Sequence, residues 1–261
     1  MIKEFFGWDG YTRDPEGYMS WQHLLFVTSL MIIMVALAAW LGRRARELDK
    51  KQKNKVLIWA AILIDGSEIF KIIICGLRSD DPLFWTSLLP LFLCSIQLIT
   101  IPLAAFSKGR VREAALDFVF IFGILGAVLG TYGAGQNYNA YPVLGFDNVI
   151  SGLTHTISGF CSLYIAISGL ASMKKKNIYI TFAILGFFCV AAYIANILIP
   201  YNYMFLMAGD GTPYDIFYNL VNAHKVFYPM IVVVLFLLYI VAFYWVFYLI
   251  QKKRAQKKQA Q

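Results

Sequence analysis

The chain has 261 residues, 59% of them hydrophobic and 15% charged, with a mean hydropathy of +0.63 and a formal charge of +8. This exceeds what a soluble domain tolerates, so the chain reads as an integral membrane protein with no soluble domain of useful size. The positive charge sits in short loops beside apolar segments, so it reads as topology and contact with anionic inner-leaflet lipids, not as nucleic-acid binding.

Residues 1–20 carry Phe5, Phe6, Trp8, Tyr11 and Tyr18, followed by Trp21, an aromatic belt expected at the outer membrane interface. Apolar segments long enough to cross a hydrocarbon core about 30 Å thick follow at 21–41, 56–77, 83–106, 115–133, 148–172, 178–200 and 226–250. Runs of this length without strict alternation predict helices and not a barrel. The expected fold is all-α: a polytopic bundle of seven transmembrane helices in one domain, 1–250, and a basic cytoplasmic tail, 251–261. The first span lacks an adjacent basic leader and is followed by a basic stop, so it is expected to stay in the protein.

Orientation follows from Lys and Arg beside the spans. "GRRARELDKKQKNK" carries seven, "SKGRVREA" three, "MKKKN" three and the tail five. Residues 134–147 carry none, the "GLRSDDP" loop only Arg78, and 201–225 only Lys225. The alternation puts the amino terminus outside and the carboxyl terminus in the cytoplasm, in the cell membrane.

Polar groups within spans carry the functional signal, because a charge near the bilayer centre costs at least about 2.5 kcal/mol. In "ILIDGSEIFKIII", Asp65, Glu68 and Lys71 are three apart and share one helical stripe. Such a stripe either glues helices together through a Glu68–Lys71 pair or lines a site. In "LLPLFLCSIQLITIPL", Pro90 and Pro102 are expected to loosen a membrane helix on both sides of Cys94, with Gln97 three residues on along the same face. At 1.5 Å per residue, Cys94 lies about 15 Å below the outer boundary, Glu68 about 14 Å and His155, in "ISGLTH", about 10 Å. His23, Tyr193, Asn196 and Asn202 fall near the outer rim. One outward-facing pocket would gather all of these groups.

A cysteine and a histidine at similar depth suit a thiol nucleophile with a base, with Gln97 or Asn196 stabilising an oxyanion and Glu68 orienting the base. The same residues also suit a packing cysteine and an interhelical hydrogen-bonding histidine. Metal binding is not indicated: His23, His155 and His224 are scattered and no CxxC occurs. No cofactor is implied, since there is no phosphate-binding loop. Cys75, Cys94, Cys161 and Cys189 all lie in spans, so no disulfide framework is expected. Gly126 and Gly130 in "FGILGAVLG" read as a helix-packing spacing.

Taken in order, "WQHLL", Glu68 in span two, "LPLFLC", "ISGLTH" and "NYMFL" after span six resemble the YwaF-like integral membrane family, which is similar to the eukaryotic transmembrane protein 164 acyltransferases. The resemblance covers nearly the whole chain. It implies transfer of fatty acyl groups between phospholipids, with Cys94 as nucleophile and His155 as acid or base. More distantly, the scaffold is similar to membrane lipid hydrolases. The family pattern at the cysteine reads Leu-Pro-Leu-His-Leu-Cys-Asp, and here Phe92 and Ser95 replace two of its polar groups. The stretch after "NYMFL" keeps only Pro213 of a Pro-rich, Trp-containing segment. The partners implied are membrane phospholipids or fatty-acyl substrates.

A second reading is a non-catalytic binder or carrier, in which the span-two charges Asp65, Glu68 and Lys71, with Gln97, His155 and Asn196, hold a polar solute or protons and Cys94 packs. A third is a scaffold for another membrane protein. The lipid enzyme predicts that Cys94→Ser abolishes turnover; the other two tolerate that change.

Overall fold

The computed structural model describes residues 2–259. Among them every regular element is helical. In chain order these are α1 (Ile2–Phe6), α2 (Trp21–Ala45), α3 (Lys50–Arg78), α4 (Gln97–Phe106), α5 (Gly109–Tyr132), α6 (Gly135–Ala140), α7 (Phe146–Ser168), α8 (Ile178–Leu198), α9 (Asp215–Leu220) and α10 (Phe227–Gln259), with short 3-10 turns between some of them. The chain folds as two compact units, Met1–Ser172 and Met173–Gln261.

Among the described residues five helical segments are long and apolar enough to cross a membrane: Trp21–Ala45, Gly109–Ala140, Phe146–Ser168, Lys175–Leu198 and Phe227–Lys253. Helix α3 has 29 residues, about 43 Å of rise, but Asp65, Glu68 and Lys71 interrupt its apolar character. The expected helix over 83–106 is corrected. A 3-10 turn at Phe84–Leu88 and the ten-residue α4 are separated by a non-helical stretch, and Cys94 lies in a turn within it. Pro90 lacks a backbone donor and holds Leu89 extended at ψ 139°. The chain closes into α4 only after Ile96 N–H bonds to the Phe92 carbonyl (3.1 Å) and Gln97 N–H to the Cys94 carbonyl (3.2 Å). Pro102 sits inside α4.

In the first unit α5 packs against α4 and α7, α2 against α7, and α3 against α4 and α7. Leu57, Ile64, Ile101, Leu116, Val119, Tyr164 and Ile165 form its main core. Basic residues cap carbonyls that the helix ends leave unpaired. Arg46 Nε donates to Ile167 O (3.0 Å) and Lys53 Nζ to Ser168 O (2.8 Å), both at the end of α7. Arg112 Nε donates to Ala104 O (3.1 Å), and Asn54 Nδ2 to Ala105 O (2.7 Å), at the end of α4. The Asp49 carboxylate accepts from Gln52 N–H (2.8 Å) and starts α3 as its N-cap.

The N-terminal segment folds back onto this unit. Phe6 and Trp8 pack with Ile74, Phe146 and Ile150. Tyr11 donates to Asp147 Oδ2 (2.7 Å), and Arg78 pairs with the other oxygen of Asp147 while donating to Phe6 O (2.9 Å). Val143 N–H donates to Glu16 (2.7 Å) and Tyr18 N–H to Asn139 Oδ1 (2.9 Å). Burial, together with the bond to Asp147, pushes the Tyr11 hydroxyl up to about 12.

In the second unit α10 packs against α8 and α9. The turn after α8 places Met204 and Phe205 at φ +55°, the left-handed region that bulky residues rarely occupy. Asn196 holds it from both sides: its Nδ2 donates to Tyr203 O (3.0 Å) and its Oδ1 accepts from Tyr203 N–H (2.7 Å).

Candidate functional site

Cys94 and His155 come from segments far apart in sequence, yet both rest against the same face of α5. A Cβ placed on Gly126 would meet Cys94 Cβ at 3.5 Å and Cys94 Cα at 3.7 Å. One placed on Gly130 would lie 2.2 Å from His155 Cε1 and 2.4 Å from each ring nitrogen, so the imidazole occupies the space a side chain would take. Gly123, one turn before Gly126, receives the other part of α7: its Cβ would lie 2.6 Å from Ser158 O and 2.9 Å from Ser162 Cβ. Residues three and four apart share a helix face, so these glycines form one shelf. On it, Cys94 is offset from His155 by about 6 Å of rise. The spacing first read as a packing motif is thus also the seat of both candidate reactive groups.

Both side chains are half-buried. Among the described residues no hydrogen bond engages the His155 ring, and the Cys94 thiol has Ser95 Oγ at 4.0 Å. The stripe on α3 contributes one cation: Lys71 Nζ pairs with Glu68 Oε1 at 2.5 Å, and its charge reaches both Cys94 and His155. Asp65 lies one turn before Glu68 and is half-buried. The sequence groups Lys71 with the two carboxylates and, in the carrier reading, with Gln97 and His155. The signal was its position one turn beyond Glu68.

Gln97 opens α4 and is fully buried. Its Oε1 accepts from Thr100 Oγ1 (3.1 Å), whereas its Nε2 has no partner. The Ser158 hydroxyl, one turn after His155 on α7, is likewise buried without a partner. Burying a polar hydrogen without an acceptor is costly, and these two donors lie within one turn of Cys94 and of His155.

His23 is engaged elsewhere. Its Nδ1 accepts from Met19 N–H (3.1 Å), its Nε2 donates to Thr131 O (3.2 Å), and its ring lies 3.9 Å from that of Tyr138. With both nitrogens occupied it ties the start of α2 to the end of α5. The remaining candidates belong to the second unit. The Asn196 amide clamps Tyr203, and Asn202 Nδ2 donates to Ala208 O (2.8 Å) and Asp210 Oδ2 (2.7 Å). Tyr193 donates to Lys225 O (3.4 Å) and lines an apolar cavity of about 480 Å³ with Cys189, Leu206, Pro229 and Val233.

Long apolar helices, buried small-residue packing and polar groups held inside define a multi-pass helical membrane protein. A family model matches residues 18–247, and the chain belongs to the TMEM164 family. Among curated proteins and solved structures nothing matches it.

Proposed function

We propose that the chain is a lipid acyltransferase or hydrolase of the membrane, with Cys94 as nucleophile and His155 as acid and base. The observation that carries this reading is the glycine shelf of α5, which seats the thiol-bearing turn and the imidazole side by side. A phospholipid enters laterally with its ester carbonyl facing Cys94. His155 takes the thiol proton, the sulfur adds to the carbonyl carbon, and the C=O pair moves onto oxygen. Collapse expels the lysolipid alkoxide, which the His155 proton neutralises. The acyl thioester then passes to a second lipid hydroxyl or to water. Gln97 Nε2 supplies a donor to the oxyanion. Glu68 fixes Lys71, whose charge supports negative charge developing beside Cys94.

The same proposal takes the chain to cross the membrane seven times, with the amino terminus outside and the carboxyl terminus cytoplasmic. Helix α3 is then a charged crossing whose stripe faces protein. Residues 83–106 form a broken crossing, a form tolerated where irregular backbone lines a cavity. In that frame the aromatic segment 1–20 lies at the outer surface of the cell membrane.

The test is mass spectrometry of purified protein incubated with labelled phospholipid. Label in lysolipid or in transferred acyl product with wild type, absent with Cys94→Ala and His155→Ala, supports the reading. No turnover with a ligand retained by all three proteins sinks it. That result would favour the carrier reading, to which the Glu68–Lys71 pair beside the site lends its own support.

A further inference from the structure

We propose that Ser158 is a further binding residue of this site: with Gln97 Nε2, its hydroxyl hydrogen-bonds the oxygen of an ester carbonyl presented to Cys94. This rests on the acyl-transfer reading above and adds to it a residue that neither the chemistry of the motifs nor the resemblance singled out as a donor.

Two observations carry it. The first is position along α5. Ser158 meets the shelf at Gly123 through its main-chain carbonyl, Cys94 at Gly126 through its Cα and Cβ, and His155 at Gly130 through its ring. Cys94 is therefore flanked, about 4.5 Å of rise to one side by Ser158 and about 6 Å to the other by His155. The second is the hydrogen-bond inventory of α7. Hydroxyls in helices ordinarily bond back to a carbonyl one turn earlier. Thr156 does so with Gly152 O (2.6 Å), Thr154 donates to Ser151 O (3.0 Å), and Ser162 donates across to Phe120 O (2.7 Å). Ser158, 3% exposed, makes no such bond; Ser168, the last residue of α7, makes none either, but only Ser158 lies one turn from His155. Gln97 repeats the pattern, using its oxygen and leaving its nitrogen without an acceptor. Two buried donors lacking acceptors match a ligand atom that accepts twice, as the oxyanion of a thiol adduct does.

The experiment compares two reactions of Cys94 in the full-length, detergent-solubilised protein, each followed by intact mass and peptide mapping. Iodoacetamide alkylates the sulfur by displacing iodide and builds no oxyanion. A p-nitrophenyl ester acylates it through a tetrahedral oxyanion, with p-nitrophenolate leaving. Ser158→Ala is expected to slow acylation about 10²-fold, the usual loss for one oxyanion donor, while alkylation stays within about two-fold. Ser158→Thr, which keeps a hydroxyl, should recover most of the acylation rate. Equal slowing of both reactions by Ser158→Ala would show a packing role and overturn the proposal, as would acylation at the wild-type rate. Wild type that is alkylated but never acylated at Cys94 would overturn the acyl-transfer reading itself, and the Ser158 proposal with it.

Discussion

Adding one methyl group at Gly130 tests whether the shelf positions the imidazole. In Gly130→Ala the new Cβ would sit 2.2 to 2.4 Å from three atoms of the His155 ring, whereas non-bonded carbons settle at about 3.5 Å. The ring must therefore retreat by about 1 Å or α5 must move off α7. A shift of that size in a reacting group costs about 10²-fold in rate, within the range of about 10²–10⁴ that a positioned acid–base contributes. Stability should change much less. Overpacking costs about 1–3 kcal/mol, offset by roughly 1 kcal/mol from replacing glycine in a helix interior. Gly126→Ala is the matched control, one turn away on the same face. Its Cβ would lie 3.5 Å from Cys94 Cβ, ordinary contact that displaces nothing.

The assay is release of labelled acyl product from phospholipid, with thermal unfolding in detergent measured on the same preparations. Turnover should fall about 10²-fold in Gly130→Ala and stay within a few-fold in Gly126→Ala, with both proteins folded. If Gly130→Ala turns over like wild type while remaining folded, the imidazole does not depend on this seat. If both variants lose activity alike, the shelf matters through helix packing and the argument for His155 in particular fails.

Other consequences follow from contacts on both units. Removing either member of the half-buried Lys71–Glu68 pair leaves a charge without its partner, so Lys71→Met or Glu68→Gln should destabilise by about 1–3 kcal/mol. The double replacement should be nearly neutral in stability yet still lower turnover, seen in detergent unfolding and product release. Asn196→Ala removes the two hydrogen bonds that clamp Tyr203 beside the left-handed turn, at about 0.5–1.5 kcal/mol each, and should lower the unfolding temperature. Tyr11 has its hydroxyl raised from 10.0 to about 12, so the neutral form is the one folding favours. Its contribution is complete below pH 10 and is lost as pH rises toward 12. Thermal stability should fall over that window, and less steeply in Tyr11→Phe.

Length and hydropathy made most of the helices legible, since long apolar runs must satisfy their backbone within themselves. The segment 83–106 shows where that inference stops. Hydropathy scores "LLPLFLCSIQL" as a span, but Pro90 and the local turn bonds decide whether it is helical, and these leave apolarity unchanged. The basic loops show a different limit. Their lysines and arginines read as topology, and Arg46, Lys53 and Arg112 also cap the ends of α4 and α7. Both readings use the same charge, but the second needs contacts between distant segments. Cys94 stood out among four cysteines in apolar runs because Pro90 and Pro102 flank it and Gln97 follows one turn on, and His155 because an imidazole is rare inside such runs, whereas Gly126 and Gly130 advertised only that something approaches α5 closely. A glycine encodes the absence of a side chain, and what fills the space is specified by the partner. The sequence could therefore name the candidate groups and the shelf separately, and only the fold joins them. Ser158 had still less signal, because a serine in a membrane helix ordinarily bonds its own backbone. Its distinction is a missing hydrogen bond one turn from His155, which becomes visible only when every neighbour has been placed.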